Sequence, residues 1–342
     1  MTWFASNARD LPWRHTQDPY GIWISEIMLQ QTQVKTVIPY WTRWMRELPS
    51  IQSLAKARPA KIHKLWEGLG YYTRARNLQR AAQQICRMHN GQFPEELESI
   101  LALPGVGRYT AGAIASIAFN QPTPILDGNV IRVLTRLHGI AEDPREKATN
   151  SALWDLAGEL VARAPRFKTH LLPCSALNQS LMELGALVCT PRSPKCEACP
   201  VSRHCTALRE NRIAELPRPV LRAAATARRF IAFVVEHNGQ FLVRQRPAGA
   251  VNAHLWEFPN YETPERGSAE RAFEEHFGAR PASLEKLCVV NHSITRYRIR
   301  TEAYRVTLQA ADSLAGSVWR SPAQIGALPF PAAHRRIASH LA

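Results

Sequence analysis

The sequence predicts two domains of different class: a mainly α N-terminal domain closed by a four-cysteine loop, then a smaller α+β domain. Three observations carry this. Apolar residues in the first two hundred positions recur at helical spacing, with no strand-like alternation among them. Cys189, Cys196, Cys199 and Cys205 form a Cys-x6-Cys-x2-Cys-x5-Cys run in a short loop rich in proline and basic residues. Beyond it, two apolar runs joined across Asn238-Gly239 mark a β-hairpin. The predicted divisions are residues 1–206 for the helical domain, 207–228 for an Arg-, Pro- and Ala-rich linker, and 229–342 for the α+β domain. A chain of 342 residues is long enough for both cores.

The elements follow in order. Ile24, Ile27, Met28, Val34 and Val37 place one amphipathic helix over 22–37. Helices are expected over 95–103 and 109–119, separated by Pro104-Gly105-Val106-Gly107, and over 130–137, entered through Asp127-Gly128-Asn129. A further helix over 178–188 runs directly into the cysteine loop. In the second domain, 230–236 and 241–246 are the hairpin strands, and 268–277 is a helix opened by Ser268 and closed by Gly278. Val289-Val290 and 297–308 read as further strands.

Chemistry enters through the cysteines. Four thiolates in one compact loop need a metal centre among them, either Zn²⁺ or a [4Fe–4S] cluster. Zinc ribbons usually present two separated Cys-x-x-Cys knuckles; only one occurs here, which favours the iron–sulfur cluster. Cys86, Cys174 and Cys288 are scattered singly and suggest no disulfide framework, so a reducing, cytosolic compartment is expected. The N-terminus lacks the charged and apolar regions of a secretory signal, and no apolar run reaches the roughly 18 residues that span a bilayer. A net charge of +15 favours a polyanionic partner, nucleic acid first.

Two motifs sharpen that reading. Leu103-Pro-Gly-Val-Gly107 joins two helices, and its glycines let the backbone approach a ligand closely. The second helix then opens with free N–H groups that suit a phosphate, and Arg108 follows; Gly105, Gly107 and Arg108 thus read as a helix–hairpin–helix DNA contact. Glu26 and Asp127 are candidate partners in glycosidic-bond cleavage, which wants one protonated carboxyl group and one ionised. Spacing alone does not bring them together, and Asp127 would also serve as an ordinary helix N-cap.

Ser25-Glu-Ile-Met-Leu-Gln-Gln-Thr-Gln33, Gly68-Leu-Gly-Tyr-Tyr72, Leu103–Gly107, Leu126-Asp-Gly-Asn129 and the cysteine loop together resemble one family, the adenine DNA glycosylases of the MutY type. These belong to the helix–hairpin–helix, Gly/Pro-Asp superfamily. The resemblance is specific from Arg9 to Cys205 and looser beyond, where the α+β domain is similar to that family's Nudix-like domain. It implies excision of adenine paired with 8-oxoguanine, and with guanine, in double-stranded DNA by a monomeric protein located with the nucleoid in the cytoplasm. It further implies Glu26 as general acid, Asp127 as stabiliser of the sugar cation, and Tyr109 and Asn129 as their supports. Gln31 and Tyr71 match residues inserted at the lesion, because a base inside the stack must be extruded before it can be cleaved.

The chain departs from the family at the loop that reads 8-oxoguanine. Ile294-Thr295-Arg296 stands in place of Phe-Ser-His, leaving Thr295 a hydroxyl and Arg296 a donor for a purine's edge. The rival reading is an endonuclease III-like glycosylase/lyase acting on oxidised pyrimidines, whose Schiff-base lysine would align where Tyr109 stands. A Nudix pyrophosphatase is not expected, since Arg271-Ala-Phe-Glu-Glu-His-Phe-Gly278 lacks the signature's glutamate after Arg271 and its glycine spacing.

Overall fold

The computed structural model describes residues 1–218, 224–264, 267–294, 296–308 and 318–341. The chain forms two compact units, one of Met1–Lys56 with Asn77–Leu221, the other of Ala57–Arg76 with Arg222–Ala342. Helices α1 (Thr2–Asn7), α2 (Pro19–Leu29), α3 (Val34–Glu47) and α4 (Ile51–Lys56) open the first unit, and α5 (Pro59–Trp66) lies in the second. Helix α6 (Thr73–Met88) begins in the second unit and runs into the first. There it is followed by α7 (Leu97–Leu101), α8 (Arg108–Phe119), α9 (Gly128–His138), α10 (Lys147–Arg163), α11 (Pro173–Leu187) and α12 (Thr206–Arg209). Among the described residues no strand precedes Thr226, as the sequence pattern predicts.

Helix α2 starts where Asp18 accepts hydrogen bonds from the backbone N–H of Tyr20 and Gly21, with Pro19 in the first turn. It is buried on every side from Tyr20 to Met28, so whatever it carries is taken into the apolar interior. The single helix expected over 22–37 is in fact two. The chain leaves α2 at Gln30 and restarts α3 at Val34, with Gln31 in the left-handed region at φ 58°. Helical spacing continues across the break, which is why periodicity does not reveal it. The expected helix over 178–188 begins earlier, at Pro173.

The turn into α8 needs Gly105, whose φ is +79° and where an added Cβ would meet Asn77 Cβ at 2.7 Å. Helices α9 and α11 approach closely at Gly185, where a Cβ would stand 2.6 Å from Asn129 Cβ. Ala113, Ile125, Leu126, Val130, Leu134, Leu153 and Trp154 form the core that sets α8, α9 and α10 together. After α12, Leu216 is buried and its carbonyl accepts from Arg136 Nε at 2.8 Å, so this stretch packs on α9.

The second unit is built on a mixed sheet of β1 (Thr226–His237), β2 (Gln240–Gln245), β3 (Trp256–Glu257), β4 (Asn260–Glu262), β5 (Ser283–Ile294), β6 (Tyr297–Thr307) and β7 (Val318–Arg320). The main order is β3-β2-β1-β6-β5, with β1 and β6 parallel over eleven residue pairs. The predicted hairpin joins β1 to β2 through Asn238 at φ 49° and Gly239 at φ 70°. Helix α13 (Ala269–Phe277) covers one face, packing Ala269, Ala272 and Phe273 on Ile231, Phe233 and Val235. Helices α14 (Pro322–Ala327) and α15 (Ala332–Ala338) cover the other, against Ala232 and Val234. Alternate residues of β1 feed two cores, which explains its unbroken apolar run. Helix α5 and the turn after it belong with this unit: Glu67 Oε1 accepts from Phe330 N at 2.9 Å and Arg335 Nε at 2.8 Å, and Tyr72 donates to Phe330 O at 3.3 Å.

Candidate active site

The break between α2 and α3, the start of α8 and the N-terminus of α9 surround a cavity of about 360 Å³ in the helical unit. Glu26, Gln31, Tyr109, Asp127 and Asn129, all expected from the sequence, line it. Glu26 sits on the buried helix α2 and is only 6% exposed. Burial pushes its carboxyl up to about 7, and the nearby charge of Asp127 pushes the same way; the Tyr109 hydroxyl and Arg14 oppose them. Tyr109 donates to Glu26 Oε2 at 2.9 Å. Its own phenol is pushed well above the ordinary range by burial and by Glu26 and Asp127, so it remains a donor.

Asp127 caps α9. Its Oδ1 accepts from Asn129 N at 3.0 Å and Val130 N at 2.8 Å, and its Oδ2 from Asn129 Nδ2 at 2.8 Å. A carboxylate held by three N–H donors at the positive end of a helix keeps one orientation. Asn129 is itself fixed, since Arg132 Nη2 donates to its Oδ1 at 2.9 Å and to Gly185 O at 2.8 Å. The cap reading and the catalytic reading of Asp127 are therefore compatible: the cap aims the carboxylate.

Three residues that the sequence pattern did not single out complete the wall. Glu183, on α11, is fully buried and receives Arg9 through its backbone N, Nε and Nη2 at 2.7–2.9 Å, and Arg14 through Nη2 at 2.8 Å. Burial alone would push Glu183 up, but hydrogen bonds from Arg9 and Arg14 hold it down at about 2. The signal was an acid between Met182 and Leu184 on an apolar helix, which implies a buried cationic partner.

The DNA contacts expected from sequence fall in both units, and within the second the turn carrying Tyr71 and the end of β5 at Ile294 line one cavity of about 480 Å³. Gly105, Gly107 and Arg108 form an exposed turn; no side chain caps α8, and the Arg108 guanidinium lies 4.0 Å over the Trp154 ring. Tyr71, in the second unit, is 44% exposed on a turn with three left-handed residues, Gly68, Gly70 and Tyr71 at φ 105°, 71° and 47°. Arg74 braces that turn. It donates to Leu69 O at 3.0 Å and Gly70 O at 3.2 Å, and lies 5.1 Å from the Trp66 ring and 5.7 Å from the Tyr71 ring. Arg296 is exposed at the β5–β6 turn beside Tyr297, while Thr295 lies outside the described residues.

Cys189, Cys196, Cys199 and Cys205 follow α11 as a partly exposed group. Burial raises the Cys196 and Cys199 thiols, and the charges of Cys189 and Cys205 raise them further, so the four stand within electrostatic reach of one another. Among the described residues, no three His, Cys, Asp or Glu side chains are gathered as a single metal ion would require. Arg136 supplies compensating charge, with Nη1 3.4 Å from Cys189 Sγ and 2.8 Å from Thr190 O. A set of four soft thiol donors beside a guanidinium fits an anionic iron–sulfur cluster.

Comparisons with known proteins identify the family. Residues 24–159 match the model for the HhH-GPD superfamily base excision DNA repair protein. Residues 189–205 match the iron–sulfur binding domain of endonuclease III, and residues 231–340 the NUDIX domain. The chain is similar to the adenine DNA glycosylase of Rattus norvegicus, 36% identical over 93% of this chain and 72% of the rat protein. It is also similar to that of Buchnera aphidicola from Schizaphis graminum, 37% identical over 77% of this chain and 74% of the other. Among solved structures, a thermostable thymine-DNA glycosylase aligns with TM-score 0.54 and 33% identity, covering 61% of this chain and 93% of that one.

Proposed function

The chain belongs to the adenine DNA glycosylase family, an N-glycosidic hydrolase of base excision repair that carries a [4Fe–4S] cluster, and from that premise we propose its substrate and the roles of its residues. It removes adenine paired with 8-oxoguanine, and with guanine, from double-stranded DNA, leaving an abasic site. The observation that carries the mechanism is the buried Glu26, held near 7, in the same cavity as Asp127. A carboxyl group with that pKa is substantially protonated at neutral pH and can still give its proton up.

The extruded adenine enters the cavity, and Glu26 donates its proton to the imidazole edge of the base. The bond from the sugar C1′ to the base nitrogen then breaks with its electron pair leaving on a neutral adenine. Asp127, fixed by Asn129 and the first N–H groups of α9, stabilises the cation on the sugar, and water completes the hydrolysis. Tyr109 keeps the Glu26 carboxyl oriented through its 2.9 Å hydrogen bond. No lysine is among the described residues lining the cavity, which supports a monofunctional glycosylase over the lyase reading.

Cys189, Cys196, Cys199 and Cys205 hold the cluster. When bound it supplies a rigid centre for the loop that presents Arg192 and Lys195 to phosphate. Gln31 and Tyr71 occupy the space opened by extrusion, and Gly105, Gly107 and Arg108 hold the backbone. The α+β domain, residues 229–342, reads the opposite base through Ile294, Thr295 and Arg296, with 207–228 as connection from the glycosylase domain, residues 1–206. The protein works as a monomer on nucleoid DNA in the cytoplasm; no helix among its described residues is long and apolar enough to cross a membrane. The test is base release from duplexes carrying adenine opposite 8-oxoguanine, guanine, cytosine or thymine. Free adenine from the first two is the expected result. None from any, with the iron content of the protein intact, rejects the reading.

A further inference from the structure

The Nudix-like unit contains a cavity of about 720 Å³ that the glycosylase chemistry does not use. Its walls are the first residues of β1 (227–229), the last of β5 (291–293), the first of β6 (298–300), and the segment 262–264. The register explains what gathers there. Arg229 pairs with Arg300, which pairs with Asn291; Ala227 pairs with Arg298, which pairs with Ser293. Like charges side by side on neighbouring strands are unfavourable, so the sheet needs an answer to Arg229 and Arg300. Glu302, two residues further along β6 and almost fully buried, is that answer. It accepts from Arg229 Nη2 at 3.2 Å, Arg300 Nε at 3.1 Å and Lys286 Nζ at 3.0 Å. One carboxylate cannot neutralise three cations. Arg228 is paired with Glu262, and Arg298 is exposed with no ion-pair partner among the described residues. Four arginines thus line the cavity with one carboxylate, Glu262, while Glu302 pairs with two of them from outside the lining, and the excess positive charge favours a bound anion.

We propose that this cavity binds phosphate esters of the DNA backbone, with Arg298 and Arg300 as the charged contacts and Asn291 and Ser293 as neutral hydrogen-bonding groups. Both carboxylates are already engaged by arginine, so the cavity suits an anion directly rather than a diphosphate carried on a divalent cation. The choice of DNA over a free nucleotide rests on the proposed function: the same strands, β5 and β6, continue into the turn assigned to the opposite base, so that strand's backbone is the phosphate at hand.

The experiment measures affinity of the full-length protein for a fluorescent duplex between 50 and 200 mM salt, as a plot of log K against log salt concentration. Each lost phosphate contact lowers the slope by about 0.9. Arg298→Ala is expected to lower it by about one, and Arg298→Ala with Arg300→Ala by about two. Because Arg300 also braces Glu302, the single variant at Arg298 keeps the test decisive if the double variant does not fold. An unchanged slope in folded Arg298→Ala overturns the proposal. So does saturable binding of deoxyguanosine monophosphate that Arg298→Ala abolishes while the DNA slope stays the same. The slope is read without base release, so a wild-type protein that frees no adenine defeats the enzymatic reading alone.

Discussion

Glu26→Gln separates the cost of burying an acid from the use made of it. Burial raises the Glu26 carboxyl from an ordinary 4.5 to about 7, so between those values the folded protein holds a proton that the unfolded chain has released. The sign follows directly. Below 4.5 both states are protonated and the group is neutral for stability; as pH rises through 7 the unfolded state is increasingly favoured, and above 7 the penalty is complete. At about 1.4 kcal/mol for each unit, the penalty grows by roughly 2–3 kcal/mol between pH 5 and pH 8. Glutamine has nearly the same shape and no charge, so the variant escapes this. Its stability relative to wild type is therefore expected to rise by that amount across the same interval, measured by urea denaturation at the two pH values. Single-turnover adenine release should fall steeply in the variant, and in wild type should decline as pH rises past about 7 and the acid is lost. A stability difference that is flat in pH, or a wild-type rate that climbs through pH 8, would refute the assignment of Glu26 as a buried acid.

Asp127→Asn should slow single-turnover release by a factor on the order of 10²–10³ or more, because removing charge from beneath a developing cation loses several kcal/mol; a near-normal rate rejects its role. Borohydride added during turnover should trap little or no covalent protein–DNA adduct, and trapping comparable to an authentic lyase run alongside would restore the rival reading. Arg74→Ala and Tyr71→Ala should each weaken discrimination of lesion-containing from undamaged duplex, and the double variant should be no worse than Tyr71→Ala alone, since Arg74 acts through the Tyr71 turn. Additive losses, or none from Tyr71→Ala, would end that account. Removing residues beyond about 225 should reduce preference for 8-oxoguanine over guanine opposite adenine. It should also slow capture of the lesion, because Glu67 and Tyr72 lose their partners Phe330 and Arg335 and the Tyr71 turn loses its support. A truncated protein with unchanged preference would mean that this unit serves another purpose.

What the sequence determined by itself is local. Asp127 caps α9 because an aspartate at that position reaches N–H groups two and three residues ahead. Asn238-Gly239 makes a two-residue hairpin because both positions accept positive φ. The cysteine spacing announces a metal centre because four soft sulfur donors fall within one short loop. Each of these depends on residues within a single turn or loop, and so is written where it acts. Only the tertiary structure decided the rest. Glu26 becomes an acid near 7 because α2 is buried on all sides and α9 brings Asp127 toward it from a hundred residues away. Gln31 reaches the cavity because the helix breaks where the apolar rhythm does not. Arg9 and Arg14 meet Glu183 across some 170 positions, and residues 57–76 join a unit whose other residues begin only at Arg222. Burial and charge are sums over neighbours in space, and neighbours in space are assigned by packing, to which chain order is only a weak guide.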